Sequence, residues 1–133
     1  EALAWMTAER VGIVNISLAG PPNAIVGRMV ALHLASAGEI VAAAGNGGPF
    51  SQLIYPAAYP GVIGVTAVDA EGRVWALAST GSHVDRSAPG VDVTVATLSG
   101  HAVLSGTSYA APVVAARMVI EEAAPAATLA TVR

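Results

Sequence analysis

The chain has 133 residues, a formal net charge of −3, 54% hydrophobic and 11% charged residues, and no cysteine. That length allows one domain with a sizeable core and is small for a two-domain enzyme. With no cysteine and no lysine, disulfides, thiolate metal sites, a Ser-Lys dyad and a Schiff base are excluded, and the acidic balance leaves no footprint for nucleic acid.

An ordinary domain is about 25% charged, so this composition points to a sheet buried on both faces, or to a piece whose faces are meant to be covered. No apolar run approaches the roughly 20 uninterrupted residues of a membrane span, and no membrane partner is expected. The opening at Glu1, without methionine or a leader, is the start expected of a processed or excised piece.

Ala2–Arg10 reads as the end of a helix. Val11–Ser17 is a short β-rich run stopped by Ala19-Gly20-Pro21-Pro22. Asn23 is placed to cap a helix running to Ala37, with Ile25, Val26, Met29, Val30 and Leu34 at helical spacing and Gly38 beyond its end. Ile40–Gly45 is a second strand, followed by the loop Asn46-Gly47-Gly48-Pro49; Val62–Val68 is a third strand and Val93–Leu98 a fourth. A last helix runs from Thr107 to about Glu122. Strand, helix, strand with continuous apolarity predicts an α/β fold, a mostly parallel sheet with flanking helices. Residues 1–133 contain no internal repeat or linker and read as a single domain.

The chemistry concentrates at Leu104-Ser105-Gly106-Thr107-Ser108-Tyr109-Ala110-Ala111-Pro112. Thr107 is placed to cap the last helix, which puts Ser108 in its first turn, where free N–H groups and the dipole favour developing negative charge. Pro112 lacks the N–H that would bond the Ser108 carbonyl. Ala110, Ala111, Ala115 and Ala116 are expected to let the helix sit close on a sheet. Asn46, just past a strand end, can offer a side-chain N–H to an oxyanion, with the Ser108 N–H as a second donor; read alone, Asn46-Gly47 is a turn dipeptide.

A nucleophilic serine needs a base. His33 follows Met29 by four residues and reads as a core histidine. His83 lies with Asp85 and Arg86 in what reads as a solvated turn, and His101 is the one histidine near Ser108 in sequence. Their irregular spacing fits no zinc motif, so no metal site is expected from it. Asp69, Asp85 and Asp92 read as turn residues. Asn15-Ile16-Ser17 matches the glycosylation sequon but falls in a strand expected to be buried.

Gly106–Pro112 resembles the Gly-Thr-Ser-x-Ala-x-Pro serine motif of the subtilisin-like serine proteases. Blocks resembling the family run in order along nearly the whole chain. Val14–Gly20 resembles the strand leading into the substrate-binding segment, and Val41–Asn46 the strand ending in the oxyanion asparagine. Tyr55–Pro60 with Val62–Val65 resembles the next segment. Ser79-Thr80-Gly81 through Ala88-Pro89-Gly90 resembles the stretch before the serine. No Gly-x-Ser-x-Gly elbow is present, which disfavours a generic α/β hydrolase.

The resemblance implies a partial subtilisin-like three-layer fold, the C-terminal half of a catalytic domain, and peptide-bond hydrolysis through an acyl-enzyme. Ser108 would be the nucleophile and Asn46 the oxyanion donor. Ser17, Leu18, Ala19 and Gly20 on one side, and Ala43, Ala44 and Gly45 on the other, would flank an extended peptide or protein substrate. The family's aspartate and histidine precede the serine in sequence, on segments that would lie before Glu1, so the chain alone is expected to be inactive. Ala19 stands where a glycine is usual, Gly47 leaves the pocket rim uncharged, and Ile54 lies where a glycine often opens the floor; a shallow pocket for small apolar side chains is expected.

Calcium occurs in the family, although no ligand pattern for it is recognisable here, and secretion is the family habit. Ala124–Arg133 resembles the turn and start of the helix that follows the serine helix. The different-class alternative is a non-catalytic peptide-binding or interaction module. Because the family's preceding strands neighbour residues 11–17, that edge is expected to be bare and to drive self-association.

Overall fold

The computed structural model describes residues 1–123; the expectation for residues 124–133 lies outside the described residues. The helix α1 (Ala2–Ala8) ends in a turn at Arg10 and leads into β1 (Ile13–Ile16). Asn23 caps α2 (Ala24–Ala35): its Oδ1 accepts from the N–H groups of Ile25 (3.0 Å) and Val26 (3.1 Å), two of the donors a helix start leaves free. Strands β2 (Glu39–Ala43), β3 (Ile63–Val68) and β4 (Arg86–Pro89) follow, then a hairpin of β5 (Val93–Thr97) and β6 (Gly100–Leu104), and last α3 (Thr107–Ala123).

Strands β1 to β4 form one parallel sheet in sequence order. Successive side chains of a strand point to opposite faces, and β2 shows how this makes three layers. Val41 and Ala43 join Val65, Ala67 and Ala88 under Ala110, Ala111 and Val114 of α3. Ile40 and Ala42 face the other way, with Val14, Val30 and Val62 beneath α1 and α2. Both faces are covered, as the low charge content implied.

Four expectations need correction. The sheet's fourth strand is β4, not Val93–Leu98; that segment pairs antiparallel with β6, outside the main sheet. β4 escaped notice because Arg86-Ser87-Ala88-Pro89 buries only Ala88, and its proline is tolerated on an outer strand. The left-handed residue after α2 is Ala37 (φ 63°), not Gly38; Gly38 is instead pressed against His33, with which any Cβ would collide. Ala116 is exposed, and Val114 and Met118 complete the face of α3 that meets the sheet. The sequon asparagine, Asn15, is also exposed, although it lies in β1.

Candidate active site

The site is built where β2 runs out and α3 begins. Gly90, just after β4, is the hinge of this arrangement: the Gly106 N–H donates to its carbonyl at 2.7 Å. A Cβ on Gly90 would lie 2.8 Å from both Ala67 Cβ and the Gly106 carbonyl oxygen. Only glycine lets the start of α3 settle this closely on the sheet, which gives the Ala88-Pro89-Gly90 block a packing role.

Thr107 does not cap α3 with its own side chain. The cap comes from across the site, because Asn46 Oδ1 accepts from both the Thr107 N–H (3.0 Å) and the Thr107 hydroxyl (2.9 Å). The Thr107 hydroxyl oxygen in turn accepts from the Gly45 N–H at 3.1 Å. Two donors converge on one amide oxygen, so the orientation of the amide is set and Nδ2 is left as a donor. Asn46 Nδ2 lies 3.3 Å from the position a Cβ on Gly106 would take. Among the described residues neither Asn46 Nδ2 nor the Ser108 backbone N–H meets an acceptor. One of these two donors is thus on the clamping asparagine itself and the other on the residue after the clamped threonine. The sequence motif contained this threonine but did not reveal what it holds.

Ser108 is half-buried in the first turn of α3. Its hydroxyl makes only a long 3.5 Å approach to the Ser17 carbonyl. The Ser17 hydroxyl donates to the Ser108 carbonyl at 3.0 Å, which joins the end of β1 to the serine. Gly20 and Tyr55 form an antiparallel bridge with both bonds at 3.0 Å. Ala43, Ala44 and Gly45 are buried at the end of β2. Leu18 is largely exposed and, with Ala19 and Gly20, borders an apolar groove of about 310 Å³ that Ile16, Val26 and Tyr55 also line.

None of the three histidines bonds to Ser108 among the described residues. His33 is fully buried between α1 and α2, with Nδ1 3.0 Å from the Thr7 hydroxyl. Thr7 already donates to the Leu3 carbonyl (2.8 Å), so His33 Nδ1 is the donor and Nε2 is left without a partner. His83 is not the solvated turn residue expected, since both ring nitrogens are buried and unpartnered. His101 lies exposed on β6, opposite Ala96. Asp85 accepts from the Gly64 N–H at 2.8 Å, and Ser105 ties Asp92 at the base of the hairpin. No group of three or more His, Asp or Glu side chains able to hold a metal gathers among the described residues.

A parallel sheet between helix layers, with a serine at the head of the helix on one face and an asparagine at a strand end beside it, is a subtilisin-like fold. A cold-adapted subtilisin-like serine proteinase superposes with a TM-score of 0.80 at 28% identity, over 90% of this chain and 46% of that one. The sequence matches the family model described as "Subtilase family" over residues 1–133. It is 37% identical over 117 residues to subtilisin E of Bacillus subtilis (strain 168), covering 84% of this chain and 30% of that protein. It is 36% identical over 118 residues to the minor extracellular protease Epr of the same organism, covering 87% and 18% respectively. The chain belongs to the subtilase family. It spans less than half the length of each of these relatives.

Proposed function

We propose that this chain is the serine-bearing, C-terminal half of a subtilisin-like catalytic domain and serves in peptide-bond hydrolysis. Ser108 Oγ attacks the carbonyl carbon of the scissile peptide, and its proton passes to a histidine supplied from outside residues 1–133. The carbonyl oxygen becomes an oxyanion between Asn46 Nδ2 and the Ser108 N–H. Collapse expels the amine, which takes the proton, and leaves an acyl-serine that water then hydrolyses. The single observation that carries this reading is the Thr107–Asn46 clamp, which leaves Asn46 Nδ2 and the Ser108 N–H without acceptors among the described residues. Ser17–Gly20 and Ala43–Gly45 flank the substrate backbone. Secretion fits the reading, since Epr is named an extracellular protease, and no described helix is long and apolar enough to cross a membrane.

The isolated chain lacks a base at Ser108 and is inactive in this reading. The test is labelling with a fluorophosphonate probe, on the chain alone and on the chain co-refolded with an aspartate- and histidine-bearing half of a subtilase domain. Labelling of Ser108 only in the second case, abolished by Ser108→Ala, is expected. Rapid labelling of the chain alone would show that it holds its own base. Failure in both cases, with peptide binding retained, would favour the non-catalytic module.

A further inference from the structure

Asn46 is followed by Gly47, and that pair has a chemistry of its own, separate from any substrate. The other asparagines of the chain, Asn15 and Asn23, precede Ile16 and Ala24. A backbone nitrogen can attack the side-chain amide carbon of the asparagine before it, and the reaction is fastest where glycine follows, because no side chain shields that nitrogen. The fold itself selects glycine here. A Cβ on Gly47 would lie 2.7 Å from the Ser51 Cβ, well inside ordinary carbon–carbon contact.

Such an attack needs a nucleophile, an electrophile and a leaving group. The nucleophile is the Gly47 nitrogen. Its N–H meets no acceptor among the described residues, whereas the Gly48 N–H donates to the Leu77 carbonyl at 2.8 Å. Asn46 and Gly47 are both exposed, so solvent reaches them. The electrophile is Asn46 Cγ. Its oxygen already accepts from the Thr107 N–H at 3.0 Å and the Thr107 hydroxyl at 2.9 Å. Charge that builds on Oδ1 is therefore met by two donors at the head of α3, whose dipole also favours it. The leaving group is Asn46 Nδ2, which has no acceptor among the described residues and departs without breaking a hydrogen bond.

We propose that Asn46-Gly47 is a self-modification site at which the chain converts its own Asn46 to aspartate and isoaspartate, with Thr107 as the positioning residue. Hydroxide takes the proton from the Gly47 nitrogen, and that nitrogen bonds to Asn46 Cγ. The bond from Cγ to Nδ2 breaks, and Nδ2 leaves as ammonia after taking a proton from water, which regenerates the hydroxide. Water then opens the succinimide ring at either carbonyl. The sum is asparagine plus water giving aspartate or isoaspartate plus ammonia, with nothing oxidised or reduced. Aspartate keeps an oxygen for the Thr107 donors but has no N–H, and isoaspartate adds a carbon to the main chain beside the clamp. Under the peptidase reading either product takes the Asn46 donor away from the oxyanion, so activity lapses with age; the modification itself does not depend on that reading.

The experiment is incubation of the full chain at mildly alkaline pH, then digestion with trypsin and mass spectrometry. Cleavage at Arg28 and Arg73 releases residues 29–73 with Asn46 as their only asparagine, while Asn15 and Asn23 go to a separate peptide. The expected result is a gain of a single mass unit at residue 46, in separable aspartyl and isoaspartyl forms, with Asn15 and Asn23 unchanged. Asn23 is the internal control, because its amide oxygen also accepts from two N–H groups but no glycine follows it. Thr107→Val should slow the conversion about five- to tenfold, the worth of one net hydrogen bond, and Thr107→Ser, which keeps the hydroxyl, should hold the wild-type rate. Gly47→Ala should abolish it; paired with Ser51→Gly, which makes room for the new Cβ, the test holds even if the single variant misfolds. An unmodified Asn46 in the wild-type chain, or Asn23 converted as fast, overturns the site. Conversion in a folded Thr107→Val chain at the wild-type rate or above overturns the role of Thr107.

Discussion

The Ser17 hydroxyl donates to the carbonyl of Ser108 at 3.0 Å, and the reason that carbonyl is free lies four residues on, at Pro112. In an unbroken helix the N–H of residue 112 would bond it, but proline has none. The hydrogen bond lost inside α3 is replaced by one from the end of β1, so a defect in the helix becomes a tie between the serine and a wall of its site.

The tie is testable by a double-mutant cycle. Ser17→Ala is expected to lower stability by about 1 kcal/mol, the usual net worth of such a bond. In a Pro112→Ala background the helix supplies its own donor, and the same substitution should cost clearly less. Urea unfolding of the four proteins measures the coupling, and strict additivity would show that the bond does not compensate for the proline.

In the proposed reaction Asn46 has two tasks, and two substitutions separate them. Asn46→Leu removes the acceptor shared by the Thr107 N–H and hydroxyl and is expected to destabilise by about 1–3 kcal/mol. Asn46→Asp keeps an acceptor, and its charge is favoured at a helix N-terminus, so thermal stability should change little. The carboxylate cannot donate, however. In the reconstituted enzyme, turnover should fall by the roughly 10²–10³-fold known for subtilisin, a figure borrowed from that enzyme.

His33 and Gly38 form a second tight pair, on the face beneath α1 and α2. Gly38→Ala forces a methyl group into the His33 ring and should cost about 1–3 kcal/mol. Combined with His33→Ala, the same change should be nearly neutral. Thermal unfolding of the single and double variants decides the matter, and an equal loss in both backgrounds would place the strain in the backbone instead.

Asp69 gives the chain an acid-sensitive surface turn. The Arg73 backbone N–H bonded to its carboxylate holds the Asp69 pKa below its ordinary value against the opposing effect of desolvation, with the Arg73 guanidinium at 2.7 Å and the Glu71 N–H adding to the lowering. A group depressed on folding contributes stability above its unfolded pKa and loses that contribution as pH falls through the folded one, here below about pH 4. Asp69→Asn should therefore flatten the stability profile between about pH 5 and pH 2, measured by urea midpoints. Parallel profiles for the two proteins would contradict this.

The outer edge of β1 is unpaired among the described residues. Ile13, Val14, Asn15 and Ile16 carry neither charge nor proline, the devices that normally discourage edge pairing. Static light scattering should show association rising with concentration, and Asn15→Lys, at an exposed position of this strand, should weaken it. A strictly monomeric chain at high concentration would count against pairing through this edge.

The sequence revealed the parts of the fold whose cause is local. Asn23 announced α2 because capping acts within three residues, and Ile40–Gly45 and Val62–Val68 announced strands because both their faces are buried. What remained hidden depends on distant partners. β4 has one buried residue and a proline, so only its pairing with β3 makes it a strand. At the candidate site, Ser108 and Asn46 were singled out by their motifs, whereas the Thr107 clamp bridges 61 positions and the Ser17 tie 91. Ile54 was visible as a departure from family pattern, but its reach to Gly45 required coordinates.

The seating of α3 has one more consequence. Where its first turns meet the sheet, the contact is largely methyl on methyl: Ala110 and Ala111 against Ala43, Ala67 and Ala88. Alanine has no rotamers to freeze on folding or to exchange afterwards. The joint beneath the serine thus has no internal settings. Its spacing is dictated by backbone and single carbon atoms, so thermal motion that would let a leucine-rich interface repack finds nothing here to rearrange. The distance between hydroxyl and amide donor is kept by the absence of side-chain choice.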